Sequence, residues 1–410
     1  MSGTAGGGRD PSPADSDLER ETQECVAFLK VIEHATDFKV LVAAMRSHIS
    51  IKEVQLQACL SLYHLTIDCG AVSVVRAGAV GVVEAVVAAL RAHVEHKQLQ
   101  AMAFSVLVNL TMVNAENRTR GGNAGAVAAA VAGMHAHPNS EKVQLAGCSV
   151  LRTLTDCHVA NRNRAGDASA LEAMVTAMRG HAGSHLMQEL ACRALQNMIC
   201  GNEKNKLRAK TAIGAIVAAM RTHSQHENVQ RQASGALSNI ASLTANAVHA
   251  GNEGAIEAVV KSMHTYPENQ PVQAHACAAL RHMTTYTAEN RVRAARAGGI
   301  EAIVAAMRRH PTTEILPTFA CGALSNIACD NVGNKIRAGN AGAVEFTLAA
   351  MRAHAGSDKV QTQACQALRD MLDCGGDAGN VTRAMNAGAV EVVEAALRGH
   401  TVGRRSHQAR

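Results

Sequence analysis

Eight times along this chain, apolar or small residues fall at spacings of four, four and three, the rhythm of one buried stripe on a helix. Val229, Ala233, Leu237 and Ile240 form one instance, and Leu316, Ala320, Leu324 and Ile327 another. Leucine holds its place in every copy, at Leu62, Leu107, Leu151, Leu195, Leu237, Leu280, Leu324 and Leu368. Each stripe opens on an apolar–glutamine pair such as Val229-Gln230 or Val272-Gln273. Pro317 replaces the glutamine in one copy, at a first-turn position that a helix accepts.

A second phrase, Met/Leu-Arg/His-x-His, closes at His48, His93, His137, His181, His223, His310, His354 and His400, with Tyr266 in phase. The intervals are 45, 44, 44, 42, 43, 44, 44 and 46 residues. A fixed period in this range marks a stack of helical units, none of which has a complete core alone. Each unit predicts three helices. The first is short and carries an asparagine with an arginine three residues on, as in Asn117/Arg120, Asn161/Arg164, Asn290/Arg293, Asn334/Arg337 and Asn380/Arg383. A glycine turn follows (Gly254, Gly342, Gly388), where a positive φ suits a sharp helix-to-helix corner. The second helix ends in the arginine and histidine of the landmark, whose positive charge complements the helix dipole. The striped segment is the third. These boundaries predict a disordered tail at 1–17, a capping helix at 18–35, a single solenoid at 36–401 whose last unit is incomplete, and a polar tail at 402–410.

Composition fits an all-helical chain: 47% of residues are apolar, yet aromatics are 2% and tryptophan is absent, so Ala, Val, Leu and Met carry the packing. Met45, Met134, Met178, Met220, Met263, Met307 and Met351 share one repeat position and read as core. Cys59, Cys148, Cys192, Cys277, Cys321 and Cys365 share another, with Phe104 and Ser234 in the remaining copies. Equivalent positions in adjacent units lie ~10 Å apart, beyond the roughly 7 Å a disulfide allows, so these are small buried hydrophobes. Reduced thiols, no run near the ~18 apolar residues that span a bilayer, no apolar signal core and Ser2 rather than glycine after Met1 place the expected location in the cytoplasm or nucleus, without membrane insertion.

The net charge of +6 is spread through the units without a dense basic stripe or stacking aromatics, which excludes nucleic acid as the expected partner. One histidine per unit, ~10 Å from the next, cannot share a metal. His135 and His137, at i and i+2, point apart. No GK[ST] loop, HExxH or GxSxG occurs, so no catalytic, cofactor or metal site is expected.

The phrases GAIEAVV-x-x-M and VQ-x-QA-x-x-AL-x-NIA resemble armadillo repeats, matching the second and third helices of that unit from about residue 36 to 400. HEAT repeats share the period but use two helices. The resemblance implies an all-α, armadillo-type α-solenoid, a right-handed superhelix of about nine three-helix repeats. It also implies that third helices line a concave groove holding extended peptides. In the importin-α branch, Trp-x-x-x-Asn patterns do this, the asparagines holding peptide backbone. Here the asparagine position reads His64, Asn109, Thr153, Asn197, Asn239, His282, Asn326 and Asp370, while the tryptophan position reads Leu60, Ser105, Ser149, Arg193, Gly235, Ala278, Gly322 and Gln366. The tryptophan ladder and the basic N-terminal helix of importin-α are both missing, which argues against reading nuclear signals by that mechanism.

Just before the asparagine position stand Arg152, Arg281 and Arg369, with Arg193 and Arg231 on neighbouring turns; the inward acids are Glu189 and Asp370. Arginine favours bidentate contact with carboxylate or phosphate. The candidate groove is therefore Asn109, Asn197, Asn239, Asn326, Arg152, Arg193, Arg231, Arg281 and Arg369. The asparagine amides are expected to hold partner backbone and the arginines to select acidic groups. The expected function is a non-catalytic scaffold that docks an extended or helical protein segment; the alternatives are a cargo or targeting adaptor and a regulatory subunit of a kinase or GTPase. The last unit offers Val390, Val392, Val393 and Leu397 without a third helix to cover them, so that end is expected either to fray or to be covered by another chain, as a homodimer or a docked partner.

Overall fold

The computed structural model describes residues 28–68, 70–373 and 378–408, and among them all regular structure is helical. The chain divides into two compact units, Met1–Leu154 and Thr155–Arg410, where the period alone predicts a single stack; the division falls at the end of the helix Glu141–Thr155. The predicted tail at 1–17, and residues 18–27 of the predicted cap, lie outside the described residues. No single helix among the described residues is long and apolar enough to cross a membrane.

In the N-terminal unit a helical stretch at residues 28–33 leads to Phe38–Ser47 and Lys52–Asp68. Two triplets follow: Gly70–Ala79, Val82–Ala92 and Lys97–Met112, then Ala115–Ala124, Ala126–Ala136 and Glu141–Thr155. Ile32 is fully buried, and its carbonyl accepts a hydrogen bond from Ser61 Oγ at 3.0 Å. The C-terminal unit repeats the triplet from Val159–Asp167, Ala170–Gly180 and His185–Ile199 through to Val332–Asn340, Ala343–Ala353 and Asp358–Leu372, and closes on Ala378–Asn386 and Ala389–Gln408. At the corners, glycines such as Gly254 (φ 79°) take the left-handed conformation expected of them. Ser169 (φ 58°) takes that conformation at the corner before Ala170–Gly180, and between Glu203–Arg208 and Ile213–Thr222 there is no left-handed residue: a 3₁₀ turn, Ala209–Ala212, runs one helix into the next. The landmark interval is shortest there, 42 residues from His181 to His223.

The apolar stripe is the core. The eight leucines and the seven methionines are buried, as are Cys59, Cys148, Cys192, Cys277 and Cys321; Cys365 is half-buried. Burial pushes the thiols of Cys59, Cys148, Cys277 and Cys321 up to about 12, the mark of groups that pack and do not react.

The polar landmarks turn out to be joints. Helix C-termini leave four carbonyls without intrahelical partners, and this chain caps them with side chains from elsewhere in the repeat. Gln273 is buried and its Nε2 donates to Met263 O at 2.9 Å and Tyr266 O at 2.8 Å, the last turn of the preceding helix. Gln55, Gln100, Gln144, Gln188, Gln230 and Gln361 make the same pair of bonds. Pro317 cannot, and a small cavity of about 90 Å³ lined by Met307, His310, Pro317 and Phe346 lies at that joint. Pro317→Gln is expected to raise the unfolding free energy by about 1 kcal/mol, the net worth of an added buried hydrogen bond. Denaturant unfolding checks it; a variant no more stable than the parent would mean that this joint has lost the geometry as well as the donor.

The landmark histidines stand at helix ends as the sequence indicates, but their use differs from a charge on a dipole. His93 Nε2 meets Ile49 O at 2.7 Å, and His137 Nε2 meets Val94 O at 2.9 Å. In the C-terminal unit His223 meets Ala182 O, His310 meets Pro267 O and His354 meets Pro311 O at 2.7, 3.0 and 3.0 Å. A carbonyl can only accept, so the ring N–H donates, each time to the residue after the preceding landmark. Tyr266 makes the equivalent bond from its hydroxyl to Ser224 O at 3.3 Å, so no charge is required.

First-helix asparagines are joints as well. Asn290 is buried, and its Nδ2 donates to Ala247 O at 2.8 Å in the preceding unit and to Met283 O at 2.7 Å in its own. A Cβ on Gly251 would collide with that Asn290 amide.

At the far end the helix Ala389–Gln408 continues past His400, where the landmark predicts a stop and a polar tail. Val392 is buried, whereas Val390 and Leu397 are 48% and 62% exposed, and a recess of about 450 Å³ opens beside Met351, Val392, Ala395 and Ala396.

Candidate binding surface on the third helices

In the C-terminal unit the helices His185–Ile199, Glu227–Ile240, Gln270–Thr284, Ile315–Ala328 and Asp358–Leu372 pack successively against one another. Equivalent positions therefore form rows across the unit. Asn197, Asn239 and Asn326 occupy one row and are half-buried; Asn109 holds the same position in the N-terminal unit.

The amides in this row already have work inside the protein. Asn239 Nδ2 donates to Gln196 O at 3.3 Å, and Asn326 Nδ2 donates to Arg281 O at 2.8 Å and Thr285 Oγ1 at 2.9 Å. Asn109 Nδ2 donates to Thr66 Oγ1 at 3.2 Å. His282, in the same row, donates from Nδ1 to Ser238 O at 2.8 Å; burial holds its pKa below the usual histidine value. The acceptors belong to the preceding third helix or, for Thr285, to its C-cap, and three of the five are carbonyls near the helix C-terminus, where backbone acceptors are in surplus. Asn326 has both amide hydrogens engaged, so its free polar atom for a partner is the Oδ1 oxygen. Sequence reasoning missed this because the acceptor lies more than forty residues away.

The arginines separate into two kinds. Arg369 is exposed and donates to Asp370 Oδ1 from Nε at 3.1 Å and Nη2 at 2.9 Å; Asp370 also accepts from Ser325 Oγ at 2.5 Å. This acid consumes the arginine beside it. Arg152 is half-buried on Glu141–Thr155, and Arg231 is half-buried with Nη2 on Asn228 Oδ1 at 2.9 Å. Arg193 is exposed. Among the described residues Arg193, Arg231 and Arg281 have no carboxylate partner.

Arg281 is set apart by its seat. A Cβ built on Gly322 would stand 2.8 Å from both Arg281 Cδ and Nε, so the side chain lies directly over that glycine. Half-burial lowers its pKa from the ordinary arginine value, the direction desolvation dictates. Gln363, from the following helix, reaches the same space, its Oε1 standing 2.7 Å from that Cβ position. Gly235 is covered alike, by Gln196 and His275. Where the importin-α pattern would place tryptophans, these glycines receive polar arms from both neighbours.

Beside Arg281 lies an open recess of about 460 Å³, lined also by Thr318, Phe319, Asp358, Lys359, Thr362 and Gln363. Phe319 and Gln363 are half-buried, and Lys359 is exposed. The sequence held one signal for this spot: the equivalent residues are Gln57, Met102, Ala146, Leu190, Gln232, His275 and Gln363, so Phe319 is the single aromatic carbocycle in its row.

Known proteins bear on the fold. A family model described as LRRK2 ARM repeat matches residues 73–246. No curated protein is detectably similar to the chain. A crystal structure of an engineered protein is 22% identical, with 95% of this chain and 96% of that one covered and a TM-score of 0.74. A structure described for a phosphorylation switch that controls the interaction between cadherin and beta-catenin is 18% identical, covering 82% of this chain and 60% of that one, with a TM-score of 0.68. A designed armadillo repeat protein in complex with the peptide (KR)4 is 21% identical, covering 60% of this chain and 98% of that one, with a TM-score of 0.50.

Proposed function

For a chain with the armadillo-repeat fold, we propose a non-catalytic role in which a segment of another protein, extended or helical, docks along the third helices of the C-terminal unit. The observation that carries this reading is the presence on those helices of Arg193, Arg231 and Arg281 without a carboxylate partner among the described residues. Most polar groups of the repeat are spent on joints; these guanidinium groups are not. The designed relative holds a basic peptide, whereas arginines here call for the opposite sign.

Selection of random peptides on the full chain tests the proposal. Recovered binders should be enriched in Asp or Glu and should lose affinity by about tenfold or more for an Arg193→Glu, Arg231→Glu, Arg281→Glu variant of unchanged helicity, since each charge-assisted contact is worth ~1.5–3 kcal/mol. Recovery of basic peptides, or of binders indifferent to the variant, overturns it.

A further inference from the structure

We propose that the recess between Ile315–Ala328 and Asp358–Leu372 is the anchor subsite of this surface, and that it takes one aliphatic side chain and one carboxylate from the same face of an extended segment. The inference rests on the third-helix reading above and names its ligand chemistry. Three observations meet here. Phe319 supplies a half-buried ring in a row otherwise filled by glutamine, histidine and aliphatic residues. Arg281 lines the same recess, its stem held over Gly322 and its guanidinium without an ion pair among the described residues. The recess, at about 460 Å³, is large enough for a side chain and part of a backbone.

The geometry selects the spacing. Phe319 and Gly322 are three residues apart on one helix, an axial separation of ~4.5 Å, and the Arg281 guanidinium extends beyond its seat on Gly322. Side chains on one face of an extended chain repeat at roughly 6.6–6.8 Å. A carboxylate and an aliphatic group two residues apart therefore reach Arg281 and Phe319 together. The guanidinium is partly desolvated and positionally held, so little side-chain freedom is lost when it binds. Lys359 adds a second cation at the rim, but Asp358 lines the recess as well. A tract of carboxylates would crowd that acid. A single carboxylate beside an aliphatic group is the match.

The chain has only five phenylalanines, which makes fluorine NMR a direct readout. The full chain is labelled with 4-fluorophenylalanine, the Phe319 signal is assigned by Phe319→Leu, and four capped peptides in one Gly/Ser background are titrated: Glu-Ser-Leu, Gln-Ser-Leu, Glu-Ser-Ser and Glu-Glu-Glu. The Phe319 signal should move with Glu-Ser-Leu while those of Phe104 and Phe346 stay still, and the other three peptides should bind about tenfold or more weakly. Arg281→Gln should erase the preference for Glu over Gln. Gly322→Ala, which favours helix, should unseat Arg281 and weaken Glu-Ser-Leu without loss of helicity. Peptide binding that leaves Phe319 unmoved, or equal affinity for Glu-Glu-Glu, overturns the subsite and leaves the third-helix reading in place. Silence with all four peptides also overturns the subsite, while the random-peptide selection decides the wider reading by itself.

Discussion

Leu324→Ala lowers the unfolding free energy by about 2–5 kcal/mol, the range for removing a fully buried leucine from a packed interior. Leu324 has no exposed surface and lies on Ile315–Ala328, between two neighbouring third helices. Leu195, equally buried on His185–Ile199, should behave alike. Repeat units exchange stability chiefly with their neighbours, so the unfolding curve should be followed by two probes, helicity and local hydrogen exchange. A loss below about 0.5 kcal/mol at both positions, the size of an ordinary surface change, would mean that the eight-fold leucine alignment is out of phase with the core.

The second large effect is expected at a joint. Asn290→Ala removes two buried hydrogen bonds, to Ala247 O and Met283 O, for a loss of roughly 2–4 kcal/mol. The more telling experiment is the response of Gly251. Glycine to alanine within a helix normally gains about 1 kcal/mol, but here the new methyl would strike the Asn290 amide. Gly251→Ala should therefore destabilise the parent chain and stabilise the Asn290→Ala variant, a reversal of sign that a double-mutant cycle measures directly. Additive effects would show that the two residues do not share this space. The chain already contains a milder version of the substitution. Where Ala295 takes the glycine's place, Asn334 Nδ2 lies 3.4 Å from Arg291 O, against 2.8–3.1 Å at the other joints of this kind.

What could be read from sequence follows the range of the underlying interaction. The leucine, methionine and cysteine positions were legible because burial imposes a period within a single helix, and that period is visible in any ten consecutive residues. The corner at Gly254 was legible for the same reason: its constraint is on its own φ. The internal bonds of the polar residues were not legible, because their partners lie more than forty residues away. Asn326 looks like a binding residue and His310 like a dipole cap, yet one bonds to Arg281 O and the other to Pro267 O in the unit before. Arg369 and Arg281 hold the same repeat position, but the first is followed by Asp370, which neutralises it, and the second by His282; the seat of Arg281 over Gly322 is visible only in the folded repeat. The recess at Phe319 is built by three successive third helices, which no single repeat reveals.

The glycine–asparagine joint also bears on how such a chain can change its length. Gly78 pairs with Asn117, Gly166 with Asn205, Gly251 with Asn290 and Gly339 with Asn380, so the fitted surfaces are inherited as a seam that straddles two copies. Duplication or loss of copies by unequal crossing-over preserves every seam when both breakpoints fall at the same phase of the period, wherever that phase lies. The copy that ends at His223 departs further than the one with Ala295: two residues shorter at its corner, it presents Lys210 in the glycine's place, yet Asn246 still donates to Lys206 O at 2.8 Å. The asparagine bond to the preceding copy is therefore kept there without the glycine that it fits elsewhere.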